Sequence, residues 1–106
     1  FGFSGDELES LTSGMGFLTY ELSPEQYPKQ KKTVTTIGMP TLLFGRAELD
    51  EELVYQMAKQ VAENKPRMVN AVATFKSWEP EDMANGLAIE IHPGALRYYR
   101  ERGWIK

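Results

Sequence analysis

The stretch from Thr33 to Phe44 constrains this chain more than any other. Thr33, Val34, Thr35, Thr36, Ile37 and Thr41 are β-branched, and such residues suit a pleated, half-buried strand. Gly38 and Pro40 interrupt the run. Proline withholds the amide that a central strand would donate, so the pattern predicts a bent strand, or two strand pieces meeting near Gly38-Met39-Pro40. Thr41-Leu42-Leu43-Phe44 reads as buried. A chain crossing between two lobes has this pattern, and so has a bulged edge strand; the residues alone leave both open.

Other elements fall on either side. Phe3-Ser4-Gly5-Asp6-Glu7-Leu8 suits a short helix capped by Ser4 or Asp6, and Gly14 and Gly16 loosen the residues after it. Phe17 to Leu22 is a strand candidate, and Ser23-Pro24-Glu25-Gln26 marks a turn. The clearest helix starts at Asp50, a good N-cap, with Glu51 and Glu52 in its positive first turn and Leu49 and Val54 placed for a hydrophobic staple. Leu53, Val54, Met57, Ala58, Val61 and Ala62 form one apolar stripe at helical spacing, expected to pack on a sheet. Asn64-Lys65-Pro66 ends that helix and opens another, whose apolar face is Met68, Val69, Val72 and Phe75.

Trp78 to Gly86 reads as one short helix that starts at Pro80. Leu87, Ile89 and Ile91 alternate with Ala88 and Glu90, an extended and half-buried pattern. Pro93 suits the first turn of a last helix, with Leu96, Tyr98 and Tyr99 on its apolar side and Gly103 stopping it. Strands that precede several helices predict an α/β or α+β fold.

The chain has 106 residues, enough for one domain or part of one. It opens on Phe1-Gly2-Phe3, which reads as a fragment or a processed product. Its formal net charge of -3 argues against nucleic acid as a partner, because phosphate binding needs a basic face. Lys29, Lys31 and Lys32 are a short basic run that reads as a solvated loop. With no cysteine, the chain has no disulfide, thiolate metal site or cysteine nucleophile, which suits a cytoplasmic protein and equally a periplasmic one without disulfides.

Catalytic patterns are missing. His92 is the only histidine, and no His-x-Glu or His-Glu-x-x-His spacing surrounds it, so a helix-capping role is expected. The carboxylate clusters at Asp50-Glu51-Glu52 and Glu79-Glu81-Asp82 lie at helix starts, where negative charge is favourable. A small enzyme would have to rest on Glu90, His92 and a tyrosine, none at diagnostic spacing. The expectation is therefore a non-enzymatic protein with no cofactor and no metal. Arg97, Arg100 and Arg102 lie among Tyr98, Tyr99 and Trp104, a mixture that suits an acidic ligand or, more plainly, a helix packed by its aromatics. Tyr20, Tyr27 and Gln30, near one another in a loop region, suit a polar ligand.

A resemblance emerges from three segments in order. Tyr27-Pro28, Gln30, Val34, Thr36-Ile37-Gly38-Met39-Pro40 and Leu42-Leu43 form the first. Ala47 to Tyr55 is the second, and Ile91-His92-Pro93-Gly94-Ala95 with Tyr98-Tyr99, Glu101 and Gly103 is the third. The combination resembles the TAXI subfamily of solute-binding proteins of TRAP (tripartite ATP-independent periplasmic) transporters, from about Tyr27 to Trp104. Lys29 stands where that pattern has glycine, and the typical Ile-Pro-Ala-Gly-Thr run before it is missing.

The resemblance implies that residues 1–106 are the C-terminal portion of a longer receptor. Its fold would be two-lobed and periplasmic-binding-protein-like (type II), with α/β lobes joined by crossing strands. It implies a periplasmic or extracytoplasmic protein that captures a small organic acid or amino acid by hinge closure and delivers it to membrane subunits. Ligand-contact candidates near the presumed crossing strand are Tyr20, Tyr27, Gln30 and Thr36. Cut from the rest, such a piece would expose apolar surface and self-associate. A sensor or interaction domain reusing the same receptor fold is the alternative.

Overall fold

The computed structural model describes residues 3–85, 87 and 89–106. It divides into two compact units, Phe1–Leu42 and Leu43–Lys106.

In the first unit, Ser4 nucleates a helix by a reciprocal cap. Its Oγ accepts from the Glu7 amide, and Glu7 Oε2 accepts from the Ser4 amide at 2.8 Å. These bonds to Ser4 hold the Glu7 carboxyl below its ordinary range. Helix α1 (Gly5–Met15) follows and takes Gly14 into its last turn; Gly16, at φ 70, ends it in the left-handed conformation that glycine adopts without strain. The helix is longer than the sequence suggested, because the cap outweighs the low propensity of one internal glycine.

Strands β1 (Leu18–Leu22) and β2 (Val34–Gly38) pair antiparallel, Leu18 opposite Gly38 and Leu22 opposite Val34. Helix α1 lies against both strands. The turn between them holds two non-glycine residues at positive φ, Glu25 (φ 69) and Lys29 (φ 68). No described residue of this unit is fully buried.

The Thr33–Phe44 expectation is only partly met. Five residues pair, and the strand stops at Gly38. No strand forms among Thr41-Leu42-Leu43-Phe44, and Leu43 and Phe44 are 74% and 79% exposed rather than buried. Pro40 ends the ladder, and β1 is spent by then: its first residue already faces Gly38. The boundary between the units falls within this same stretch.

The second unit is helical: α2 (Glu51–Glu63), α3 (Lys65–Ala71) and α4 (Pro93–Glu101), with 3₁₀ turns at Ala73–Ser77 and Pro80–Ala84. Asp50 caps α2, its Oδ1 accepting from the Leu53 amide at 2.9 Å. The Leu49 side chain leans over Gly45, where a Cβ would lie 2.8 Å from its Cδ1. Within this unit, helix α2 packs on α4. Its predicted stripe splits accordingly: Ala58 and Ala62 are buried, Val54 is half-buried against the core, and Leu53 and Met57 face outward.

The second predicted helix breaks at Val72, which is extended (φ -143, ψ 110) and exposed, so Phe75 belongs to the 3₁₀ turn and stacks edge-on against Trp78 at 5.7 Å. Lys65, at the start of α3, reaches Glu79 at 2.8 Å. The Trp78–Gly86 helix is realised as the Pro80–Ala84 turn, with the Glu79 amide donating to Asp82 Oδ2 at 2.9 Å. Gly86 and Ala88 lie outside the described residues. Leu87 and Ile89–Ile91 form no described strand; Ile91 packs on the core and Ile89 is exposed.

Ala58, Ala62, Ala84, Ala95, Tyr98 and Tyr99 form the core. Four of them are alanines, so the tyrosines supply most of the buried apolar area.

Candidate functional site

Register decides what becomes of the predicted ligand residues. Tyr20 and Thr36 are direct cross-strand partners, so their side chains leave the same face of the hairpin. Gly38 shares that face, and a Cβ there would meet the Tyr20 Cβ at 3.4 Å, so the tyrosine side chain lies beside a position with no side chain of its own. Tyr20 is partly exposed. The pair thus offers a hydroxyl beside an aromatic ring, a surface suited to a polar solute.

Gln30 is bonded into the turn. Its Nε2 donates to the Leu22 carbonyl at 3.0 Å and to the Lys32 carbonyl at 2.9 Å, tying the turn to the end of β1. The Glu25 amide donates to the Gln30 carbonyl and the Gln30 amide to the Tyr27 carbonyl. Gln30 is therefore built into the turn, although its buried Oε1 has no partner among the described residues. Tyr27 is exposed at the turn's surface. The hairpin brings Tyr20 and Thr36 together; Gln30 shapes the turn that carries Tyr27.

In the second unit the capping expectation for His92 holds. Its Nδ1 accepts from the Gly94 amide at 3.1 Å, and Pro93 follows as the first helical residue. Gly94 is required by close approach. A Cβ there would overlap the Glu51 carbonyl oxygen and sit 2.8 Å from the Tyr55 amide nitrogen. Ala95 is buried behind it, and Gly103 (φ 74) follows the helix end as expected. The His-Pro-Gly-Ala sequence is thus a cap, a helix start, a contact point and a core residue in succession.

The arginine-aromatic cluster divides. Arg97 donates from Nη1 to Glu51 at 3.1 Å and from Nη2 to Glu52, and its guanidinium lies 4.2 Å from the centre of the Tyr55 ring. The bond to Glu52 raises Arg97 above its already high value. The Glu52 carboxyl is held low, first by Gln56 and then by Arg97. Tyr55 donates to Glu101 at 2.7 Å. Arg97 is therefore committed to an internal clamp between α2 and α4, and an acidic ligand does not find it free. Arg102 lies over Trp104 at 5.8 Å.

A hollow of about 400 Å³ opens beside Tyr98, walled by Glu63, Glu79, Glu81, Arg102 and Trp104 among others. Its carboxylates outnumber its cations, the reverse of what the arginines at the chain end suggest. Sequence reasoning missed Glu63, which no motif marks. Its one signal is a carboxylate in the last turn of α2, where the helix dipole disfavours negative charge.

A protein-family model, the NMT1-like family, matches residues 1–103. The chain belongs to the NMT1-like family. This is a family of periplasmic substrate-binding type, and it assigns the chain to a solute-binding kind of receptor. The mixed architecture, a two-stranded antiparallel sheet with helices, is compatible with a piece of a periplasmic-binding-like fold. No described helix is long and apolar enough to cross a membrane.

Proposed function

We propose that this NMT1-like chain is the C-terminal portion of an extracytoplasmic receptor of the TAXI subfamily, serving a TRAP-type secondary transporter. It captures a small organic acid or amino acid and hands it to membrane subunits, with no bond made or broken. The observation that carries the reading is the family match over residues 1–103. The order of the Tyr27–Leu43, Ala47–Tyr55 and Ile91–Gly103 segments supports the subfamily.

Solute contact falls to the Tyr20–Thr36 face, with Tyr27 at its turn and Gln30 as the residue that positions the turn. Affinity would come from the aromatic face and the threonine hydroxyl, and retention from closure of the receptor around the solute.

Fractionation of source cells, probed with an antibody against this segment, tests the assignment. A periplasmic or membrane-surface band several times heavier than the chain is expected. A cytoplasmic band at the size of the chain itself would overturn the receptor reading and favour a free-standing interaction domain. The full-length protein from that band, heated with a panel of organic acids and amino acids, should show a raised melting midpoint with its solute. Tyr20→Ala should diminish that rise.

A further inference from the structure

Gly38 is a glycine that the hairpin itself does not need. Its φ lies outside the left-handed region, unlike those of Gly16 and Gly103, so the backbone there suits any residue. Close approach does not demand it either. A Cβ at Gly38 would meet the Tyr20 Cβ at 3.4 Å, the Tyr20 Cγ at 3.8 Å and the Leu18 carbonyl oxygen at 4.0 Å, all ordinary contacts. At Gly94, by contrast, the same atom would overlap backbone. Glycine also weakens a strand, since it loses more freedom on pairing and offers no side chain to pack. The residues before it, Val34, Thr35, Thr36 and Ile37, are all strong strand formers. A strand glycine that relieves neither strain nor crowding marks a place where something else approaches the backbone.

The surroundings indicate what approaches. Register sets Leu18 opposite Gly38 and Tyr20 opposite Thr36, so Gly38 lies on the Tyr20–Thr36 face. The base of the Tyr20 side chain adjoins the empty Cβ position, and Tyr20 is 44% exposed, so its ring is open to contact. Thr36 stands two residues back along the strand and turns its hydroxyl to the same face. The result is a notch one side chain wide, with bare peptide for a floor, an aromatic wall and a hydroxyl at one end. The paired residues of this face, Leu18, Tyr20, Leu22, Val34, Thr36 and Gly38, carry no charge; Glu21 points the other way.

We infer that Gly38 determines which solutes the Tyr20–Thr36 face takes. The solute lays a short apolar body on the bare Gly38 backbone, along the Tyr20 ring, and turns its carboxylate to the Thr36 hydroxyl, which donates to it. The inference rests on the receptor reading and narrows it. The solute is an organic acid or amino acid whose body is uncharged, and any side chain in place of Gly38 competes with that body for the notch.

Thermal-shift titration of the full-length receptor tests the inference, with acetate, butanoate, benzoate, succinate, glycine, leucine, aspartate and phenylalanine as probes. The wild-type protein should respond best to a probe with an apolar body. Gly38→Ala should weaken that probe several-fold and Gly38→Val roughly tenfold or more, with acetate and glycine least affected. Without solute, both variants should protect the β1 and β2 amides from hydrogen exchange better than the wild type does, because a strand glycine is gone. Affinity and hairpin stability thus move in opposite directions, which a purely structural glycine would not produce. Unchanged affinity in Gly38→Val, weaker amide protection in Gly38→Ala, or a wild-type preference for succinate or aspartate would each overturn the inference and leave the receptor reading standing. A full-length protein that answers to none of the probes would overturn the receptor reading, and this inference with it.

Discussion

Lys29 holds a backbone conformation, φ 68, that costs an L-residue roughly 1–2 kcal/mol and glycine almost nothing. The resemblance pattern has glycine at this position, and the turn geometry supplies the reason. Lys29 is exposed, so its side chain contributes little packing. Lys29→Gly should therefore stabilise the hairpin by about 0.5–1 kcal/mol after allowing for the freer unfolded chain. Stronger hydrogen-exchange protection of the β1 and β2 amides is the expected readout. Gly94 is the opposite case. Gly94→Ala drives a methyl into the backbone of α2 and should cost about 1–3 kcal/mol, read as a lower urea midpoint. Tyr98→Phe removes a hydroxyl with no hydrogen-bond partner among the described residues, so the protein should be as stable as before or slightly more so.

Helices α2 and α4 are joined by a glycine contact and alanine packing within, and by the Arg97 clamp at the surface. Arg97→Ala should lower the melting midpoint through lost cover of the Tyr55 ring as well as lost charge. The charge part should fade as salt is added; an effect unchanged in high salt would assign all of it to packing. The Tyr98 and Tyr99 phenols are raised by burial, so the folded state keeps their protons after the unfolded state has begun to lose them near pH 10. Stability should accordingly hold below about pH 10 and fall as pH rises beyond it. Tyr99→Phe should soften that alkaline fall in a melting-midpoint profile. Element existence was legible in the sequence because caps act locally: Ser4, Asp50 and Pro93 each begin a helix where they stand. The partner of each helix was not. The stripe on α2 reads the same whether it faces a sheet or another helix, and only the short side chains at Gly94 and Ala95 let α4 come close enough to cover Ala58 and Ala62.

The two units differ in what holds them. The described part of Phe1–Leu42 has no fully buried residue, whereas Leu43–Lys106 contains the alanine–tyrosine core. A chain of residues 43–106 should therefore keep the near-ultraviolet circular dichroism of Tyr98, Tyr99 and Trp104 when the first unit is removed. Loss of that signal would mean that this core depends on residues outside its own unit.

Of the site, the sequence marked Tyr20, Tyr27, Gln30 and Thr36 by side-chain type and by place beside a strand. Antiparallel register made a pair of Tyr20 and Thr36, and the Gln30 side chain ties the turn to the end of β1. The hollow at Tyr98 could not be read in advance, since Glu63, Glu81 and Tyr98 belong to three elements with no motif between them. By itself the sequence determined the starts of three helices, the place of the first strand, the His92 cap and a solute-binding kind of family, because each is written in short-range chemistry or in the order of motifs. The tertiary structure alone decided which apolar residues are covered, which charges are spent internally and which buried hydroxyl lacks a partner among the described residues. Those outcomes depend on distances between residues far apart along the chain, and such distances exist only once the chain has folded.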